Sequence, residues 1–195
     1  MVNLDNYCYR HRPDPAPRLL WMRTFEDIYN PEMAVEVLAQ LLPIFPDATL
    51  TMAGQPKGTL DKVKALAADK GLADRIRFAG FLDMAGKQRE FANHDIFLNT
   101  NRVDNMPVSV VEAAAFGLPI VATAVGGIPH LLEHEQTVLL VPDEDSEAMA
   151  QAVTRLLQEP GLAAQLSSQG RKLAEASDWP RIHAQWQNLF STLGS

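Results

Sequence analysis

The sequence predicts an α/β fold, a doubly wound parallel sheet of about six strands with helices on both faces. Three observations carry this. Short apolar runs and helix-period segments alternate about six times along the chain. The runs are continuously apolar, as strands covered on both faces must be. Glycine or proline stands at most of the junctions. With 195 residues, 47% of them hydrophobic and 21% charged, the chain suits a single domain with a sizeable core.

Each element has its own signature. Residues 1–17 read as a linker or edge segment, because Pro13, Pro15 and Pro17 alternate and forbid a helix. The cluster Arg10, His11, Arg12 and Arg18 reads as solvated charge within it. Residues 18–23 form a first apolar strand. Pro31 opens a helix in which Ala34, Val37, Leu38, Leu41, Leu42 and Phe45 keep helical spacing, and Pro46 ends it. Residues 48–53 make a strand closed by Gly54, and residues 59–70 a helix capped by Gly71. Residues 75–79 make a strand closed by Gly80, 84–92 a helix, 95–98 a strand and 108–116 a helix capped by Gly117. Residues 120–123 and 137–141 complete the strands, with Gly126 and Gly127 in the loop between. Three helices follow: one capped by Ser146, one lined by Leu162, Leu166 and Leu173, and one lined by Trp179, Ile182, Trp186, Leu189 and Leu193. The domain proper is thus expected over 18–178, with 179–195 a terminal helix that packs on a partner domain.

Bulk properties exclude several function classes. A net charge of −7 and a pI near 5.2 argue against a nucleic-acid partner. Cys8 is the only cysteine, which rules out an internal disulfide and fits a reducing, cytoplasmic setting. No apolar run approaches the ~18 residues of a membrane span. His130 and His134 stand four apart without an obvious third ligand and read as surface histidines, so no metal is expected. Gly54 and Gly58 lack the Gly-Lys-Thr ending of a P-loop. Trp21, Trp179 and Trp186 read as core rather than as a sugar-stacking platform.

In a parallel sheet, ligands bind outside the carboxyl ends of the strands. The loops to inspect are therefore 24–30, 54–58, 80–83, 99–107 and 124–128. The most informative stretch runs from Asp104 to Gly127. Pro107 stands at a helix start, and the N–H groups of Val108, Ser109 and Val110 are left without helical partners. They offer the positive end of the helix dipole to an anion or a sugar hydroxyl. Asp104 lies just before this helix and Glu112 on it, and a carboxylate accepts the two hydroxyls of a ribose well. Singly, each feature has an ordinary reading: Asp104 as a helix-end charge, Glu112 as an exposed helical charge, Gly126 and Gly127 as a turn. Together, at strand carboxyl ends, they favour a ligand site.

These residues also carry a resemblance. An acidic residue at 104, seven residues, then Glu112, the Ala-x-Ala-x-Gly-x-Pro run that ends at Pro119, and a Gly-Gly-Ile-Pro loop from Gly126 resemble glycosyltransferase family 4, also called group 1. Further matches are Arg23 at a strand end, Ala53-Gly54, the run from Phe78 to Phe81, and the run from His94 to Leu98. The resemblance implies the C-terminal, Rossmann-like, nucleotide-sugar-binding half of a retaining GT-B enzyme. It implies a nucleoside diphosphate sugar of UDP or GDP type as substrate, with no cofactor, and a glycan or lipid acceptor. Glu112 would hold the ribose hydroxyls, Asp104 would face the donor sugar, and Asn105 and Met106 would offer backbone N–H groups to that sugar. Arg23 would neutralise the departing diphosphate. Main-chain groups near Phe81 and Leu82 would frame the base, Gly126 and Gly127 would keep the crevice floor low, and Gly54 would belong to the donor-binding site. Val108 and Ser109 would supply helix-terminal donors.

Three positions depart from the pattern. Asp104 is one methylene shorter than the usual glutamate. Asn30 and Pro31 stand where the family carries a lysine, with Lys57 a candidate substitute. His130 follows the glycine loop where glutamate is usual. The acceptor-binding amino-terminal half is expected as a missing or separate partner, and the chain alone is expected to transfer little sugar. Two other readings stand beside this one. One is a catalytically degenerate module that still holds a nucleotide. The other is an interaction protein that uses the face left by the missing half.

Overall fold

The computed structural model describes Leu4, residues 7–105 and residues 108–176. Six strands form one sheet: β1 (Arg18–Met22), β2 (Thr49–Ala53), β3 (Ile76–Gly80), β4 (Ile96–Asn99), β5 (Ile120–Thr123) and β6 (Leu139–Val141). Their order is β3-β2-β1-β4-β5-β6 and all five pairings are parallel. The helices are α1 (Pro31–Leu41), α2 (Leu60–Asp69), α3 (Met84–Asn93), α4 (Val108–Ala115), α5 (Ile128–Leu131), α6 (Ser146–Gln158) and α7 (Leu162–Ala176). The expected doubly wound sheet is therefore present, and its winding reverses between β1 and β4.

Side chains alternate across each strand and fill two cores. Leu19 and Trp21 of β1, Ile96 and Leu98 of β4 and Val121 of β5 pack under α1, α2 and α6. Leu20 and Met22, Phe97, and Ile120 and Ala122 pack on the other face, with Phe91 of α3, most of α4 and Ala174 of α7. β1, β4 and β5 are central and buried on both faces, so their residues are apolar apart from Arg18, Asn99 and Thr123 at the strand ends. β3 lies at an edge and is only partly covered. Trp21 is wholly buried, as a core tryptophan should be, and its indole N–H donates to Thr100 Oγ1 at 2.9 Å. Gly117 ends α4 at φ +81°, with its N–H on Ala114 O and that of Leu118 on Ala113 O.

Several expectations change. Asp145, not Ser146, caps α6: its carboxylate accepts from the Ala148 N–H at 2.8 Å, while Ser146 Oγ accepts from Gln40 Nε2. A 3-10 turn at Asp27–Tyr29 and the short α5 were not expected; each is less than two turns and has no periodicity to read. The solvated reading of the basic cluster fails at Arg12, which is 2% exposed. Its guanidinium donates to the carbonyls of Phe91, His94, Arg10 and Phe116 at 2.5–3.0 Å. Burial lowers its pKa to about 9, so it remains charged at neutral pH. The terminal segment 179–195, with Trp179 and Trp186, lies outside the described residues.

Candidate functional site

The chain reverses its winding where β1 and β4 lie side by side, and their following segments must part there. The result is a crevice at the carboxyl edge of the sheet. A cavity of about 310 Å³ opens in it, lined among others by Arg23, Gly54, Phe81, Leu82, Lys87, Val108, Ser109 and Glu112. Each comes from a segment that follows a strand, or from the helix beyond it.

Glycine lets these segments approach. A Cβ on Gly54 would stand 1.7 Å from the Arg23 carbonyl oxygen, so only glycine lets β2's following loop lie against β1's. Gly126 has φ +54°, and a Cβ there would stand 2.3 Å from the Asp104 carbonyl. Gly127 donates its N–H to that same carbonyl at 2.8 Å. The glycine pair thus pins the 99–105 loop from behind.

Arg23 follows β1 with its guanidinium 5.2 Å over the Tyr29 ring and ion-paired to Asp104. Asp104 is 8% exposed and also accepts from Asn101 Nδ2 at 2.6 Å. Asn101 is held in turn by Thr123 Oγ1, which donates to its carbonyl at 2.5 Å. Burial of these polar groups next to the crevice leaves some of their atoms unmatched. Arg23 Nε, Ser109 Oγ, Asn99 Nδ2 and Asn101 Oδ1 are buried with no hydrogen-bond partner among the described residues. Leaving a buried donor or acceptor bare costs about 1–3 kcal/mol, and two of these residues, Arg23 and Ser109, line the cavity, where such atoms point to a polar ligand.

Glu112, 5% exposed, projects from α4 into the cavity lining. Lys87 Nζ lies 3.1 Å from both carboxylate oxygens, and the Tyr7 hydroxyl donates to Oε1 at 3.0 Å. The first-turn N–H groups of α4 add the positive end of its dipole on the same side. At the outer wall, Phe81 is 68% exposed, an aromatic face free to stack.

The structure brings together Arg23, Gly54, Phe81, Leu82, Val108, Ser109 and Glu112 around one cavity. Asp104, Gly126 and Gly127 stand behind it as support. Asn105 is exposed, and Met106 lies outside the described residues. Lys57 does not join the lining; it is largely exposed and pairs with Glu26. Asn30 is buried in a left-handed conformation, with its amide 3.7 Å from Met33 Sδ. Lys87, Tyr7, Tyr29 and Asn101 were not foreseen. For Lys87 a signal existed: Asp83 is an N-cap whose carboxylate accepts from Gly86 N, and this helix start follows Phe81 and Leu82, which line the same cavity. Among the described residues no helix is long and apolar enough to cross a membrane, and no group of three His, Cys, Asp or Glu could hold a metal ion. His130 and His134 are exposed, and His134 Nδ1 accepts from the Leu140 N–H.

Comparison with known proteins bears on this site. Residues 11–173 match the sequence model of the family described as glycosyl transferases group 1. Phosphatidyl-myo-inositol mannosyltransferase of Mycobacterium leprae is 28% identical over 200 residues, covering all of this chain and 52% of that protein. The structure of Anabaena Alr3699/HepE in complex with UDP and glucose superposes with a TM-score of 0.84 at 20% identity, over 98% of this chain and 55% of that one. The C-terminal domain of the group 1 family protein LpcC from Francisella tularensis superposes with a TM-score of 0.79 at 19% identity, over 90% of this chain and 97% of that one. The chain thus spans about half the length of the mannosyltransferase relative.

Proposed function

We propose, from the premise that the chain belongs to the glycosyl transferases group 1 family, that it is the C-terminal, donor-binding half of a retaining family 4 enzyme. The donor is a nucleoside diphosphate sugar, and the observation that carries this is Glu112. It is a carboxylate almost fully buried, yet lining a cavity at the winding reversal beside an arginine and a helix N-terminus. A buried anion next to cationic groups suits a ligand that has hydroxyls at one end and phosphates at the other. In this reading Glu112 takes the ribose hydroxyls and Phe81 and Leu82 frame the base. Arg23, with its unpartnered Nε, and Ser109 meet the diphosphate. As the bond from sugar to diphosphate breaks, negative charge grows on the leaving group. Arg23 and the first-turn N–H groups of α4 are fixed in place to receive it, an electrostatic device that needs no proton transfer. The Asn105 and Met106 backbone addresses the sugar.

The acceptor, a glycan or lipid, is held by a separate amino-terminal domain, and this chain alone transfers little sugar. That the mycobacterial relative acts on a phosphatidyl-inositol acceptor by its name supports the lipid option. A cytoplasmic setting agrees with the single, exposed, unpaired Cys8. A second reading, a nucleotide-holding module without catalysis, is favoured by one observation: Asn30 puts no positive charge in the cavity. Thermal unfolding with and without millimolar UDP, GDP and ADP tests the donor reading. A ligand at a hundred times its Kd adds about 2.7 kcal/mol, so UDP or GDP should raise the melting temperature. No shift with any of the three would sink it.

A further inference from the structure

We propose that Tyr7 is a positioning residue for Glu112, through which the segment leading into the domain sets how the donor ribose is held. Tyr7 lies 105 positions before Glu112 in sequence, is 7% exposed and does not line the cavity. It stands behind the carboxylate, where a ligand does not reach. Its ring packs edge-on against Phe116 at 5.1 Å, and its carbonyl accepts from Arg171 at 3.4 Å. These contacts fix the ring, and among the described residues the hydroxyl then has one hydrogen-bond partner, Glu112 Oε1. Burial, and after it the nearby carboxylate, raise the Tyr7 pKa above its ordinary value, so the hydroxyl stays a donor at any working pH.

The carboxylate has about four acceptor positions. Tyr7 takes one on Oε1, and Lys87 reaches both oxygens. A ribose diol asks for two. Lys87 has a flexible stem and a side chain 30% exposed, so it can yield a position to a hydroxyl. Tyr7 cannot move without unpacking Phe116. The two donors therefore differ in kind: Lys87 is exchangeable, and Tyr7 is the fixed reference that keeps the carboxylate aimed when Lys87 gives way.

The proposal rests on the reading of Glu112 as the ribose-binding group, and the test separates the two. Affinities of the full chain for UDP and GDP, each against its 2′-deoxy analogue, are measured by calorimetry. The wild-type chain should prefer the ribose form, and Glu112→Ala should erase the preference. Tyr7→Phe keeps the ring on Phe116 and should leave the unliganded melting temperature nearly unchanged. It should lower the ribose preference about three- to tenfold, the value of one hydrogen bond. A purely structural role would not move that ratio. If the wild type discriminates and Tyr7→Phe keeps the full ratio, the positioning role is wrong and the donor site stands. If the wild type binds neither pair, or ignores the hydroxyl, both readings fall.

Discussion

The β1–β4 pair carries an arginine–aspartate constellation at each end, and the two are built to opposite specifications. At the amino end, Arg12 meets four carbonyls, and Asp95 receives Arg10, Arg18 and the Ala16 N–H. No side-chain atom of Arg12 or Asp95 is left bare among the described residues. At the carboxyl end, Arg23 and Asp104 pair, but Arg23 Nε, Asn99 Nδ2, Asn101 Oδ1 and Ser109 Oγ are buried without partners. The same residue types thus do two jobs. A satisfied buried network holds the lead-in segment to the sheet. An unsatisfied one beside a cavity keeps polar groups ready for something from outside.

The sharpest break of this comparison is at Arg12. Arg12→Ala should destabilise the fold by about 3 kcal/mol or more, because the carbonyls of Phe91, His94 and Phe116 lose a charged donor. Urea denaturation reads the loss, and nucleotide affinity of the folded fraction should be unchanged. Gly126→Ala acts at the other end. Its Cβ would meet the Asp104 carbonyl at 2.3 Å from a left-handed backbone. A cost of about 1–3 kcal/mol is expected, together with weakened nucleotide binding as the 99–105 loop shifts. If that variant keeps wild-type affinity, the loop is not part of the site.

A smaller effect lies in the acid range. His94 is buried, its Nδ1–H donating to Glu90 O at 2.6 Å and its Nε2 accepting from the Thr51 hydroxyl at 2.9 Å. Burial lowers its pKa below the ordinary 6.5. Below pH 6.5 the unfolded chain binds the proton first, so the stability His94 contributes is present above that pH and lost as pH falls through its folded value. His94→Gln should flatten this part of the stability–pH curve; an unchanged slope would refute the assignment. The smallest effect is Lys57→Ala. That side chain pairs with Glu26 in solvent, and its loss should leave nucleotide affinity within about twofold.

Much of this was legible in the sequence, for identifiable reasons. Six strands could be placed because they are short, mostly apolar runs, the central ones buried on both faces, and Gly54, Gly80 and Gly117 mark strand ends or the end of α4. Glu112 and Ser109 could be nominated because a strand-end loop and a helix start are local features, and Arg23 through the resemblance to the family. Tyr7 could not, since its contact exists only once a segment 105 residues away folds against Glu112, and for Lys87 the sequence offered only the helix start at Asp83, not the contact with Glu112 across 25 residues. Arg12 was misjudged for the same reason: charge in a proline-rich segment reads as solvated until the carbonyl ends of α3 and α4 close around it.

In this reading the carboxyl-edge constellation, and not the amino-edge one, receives a nucleotide. Amide hydrogen exchange with and without saturating UDP or GDP tests it most directly. New protection should be confined to residues 23–30, 54–58, 80–83 and 108–112 and absent in Glu112→Ala, with residues 10–18 unchanged. Protection at 10–18, or none at 108–112 with ligand bound, would contradict it.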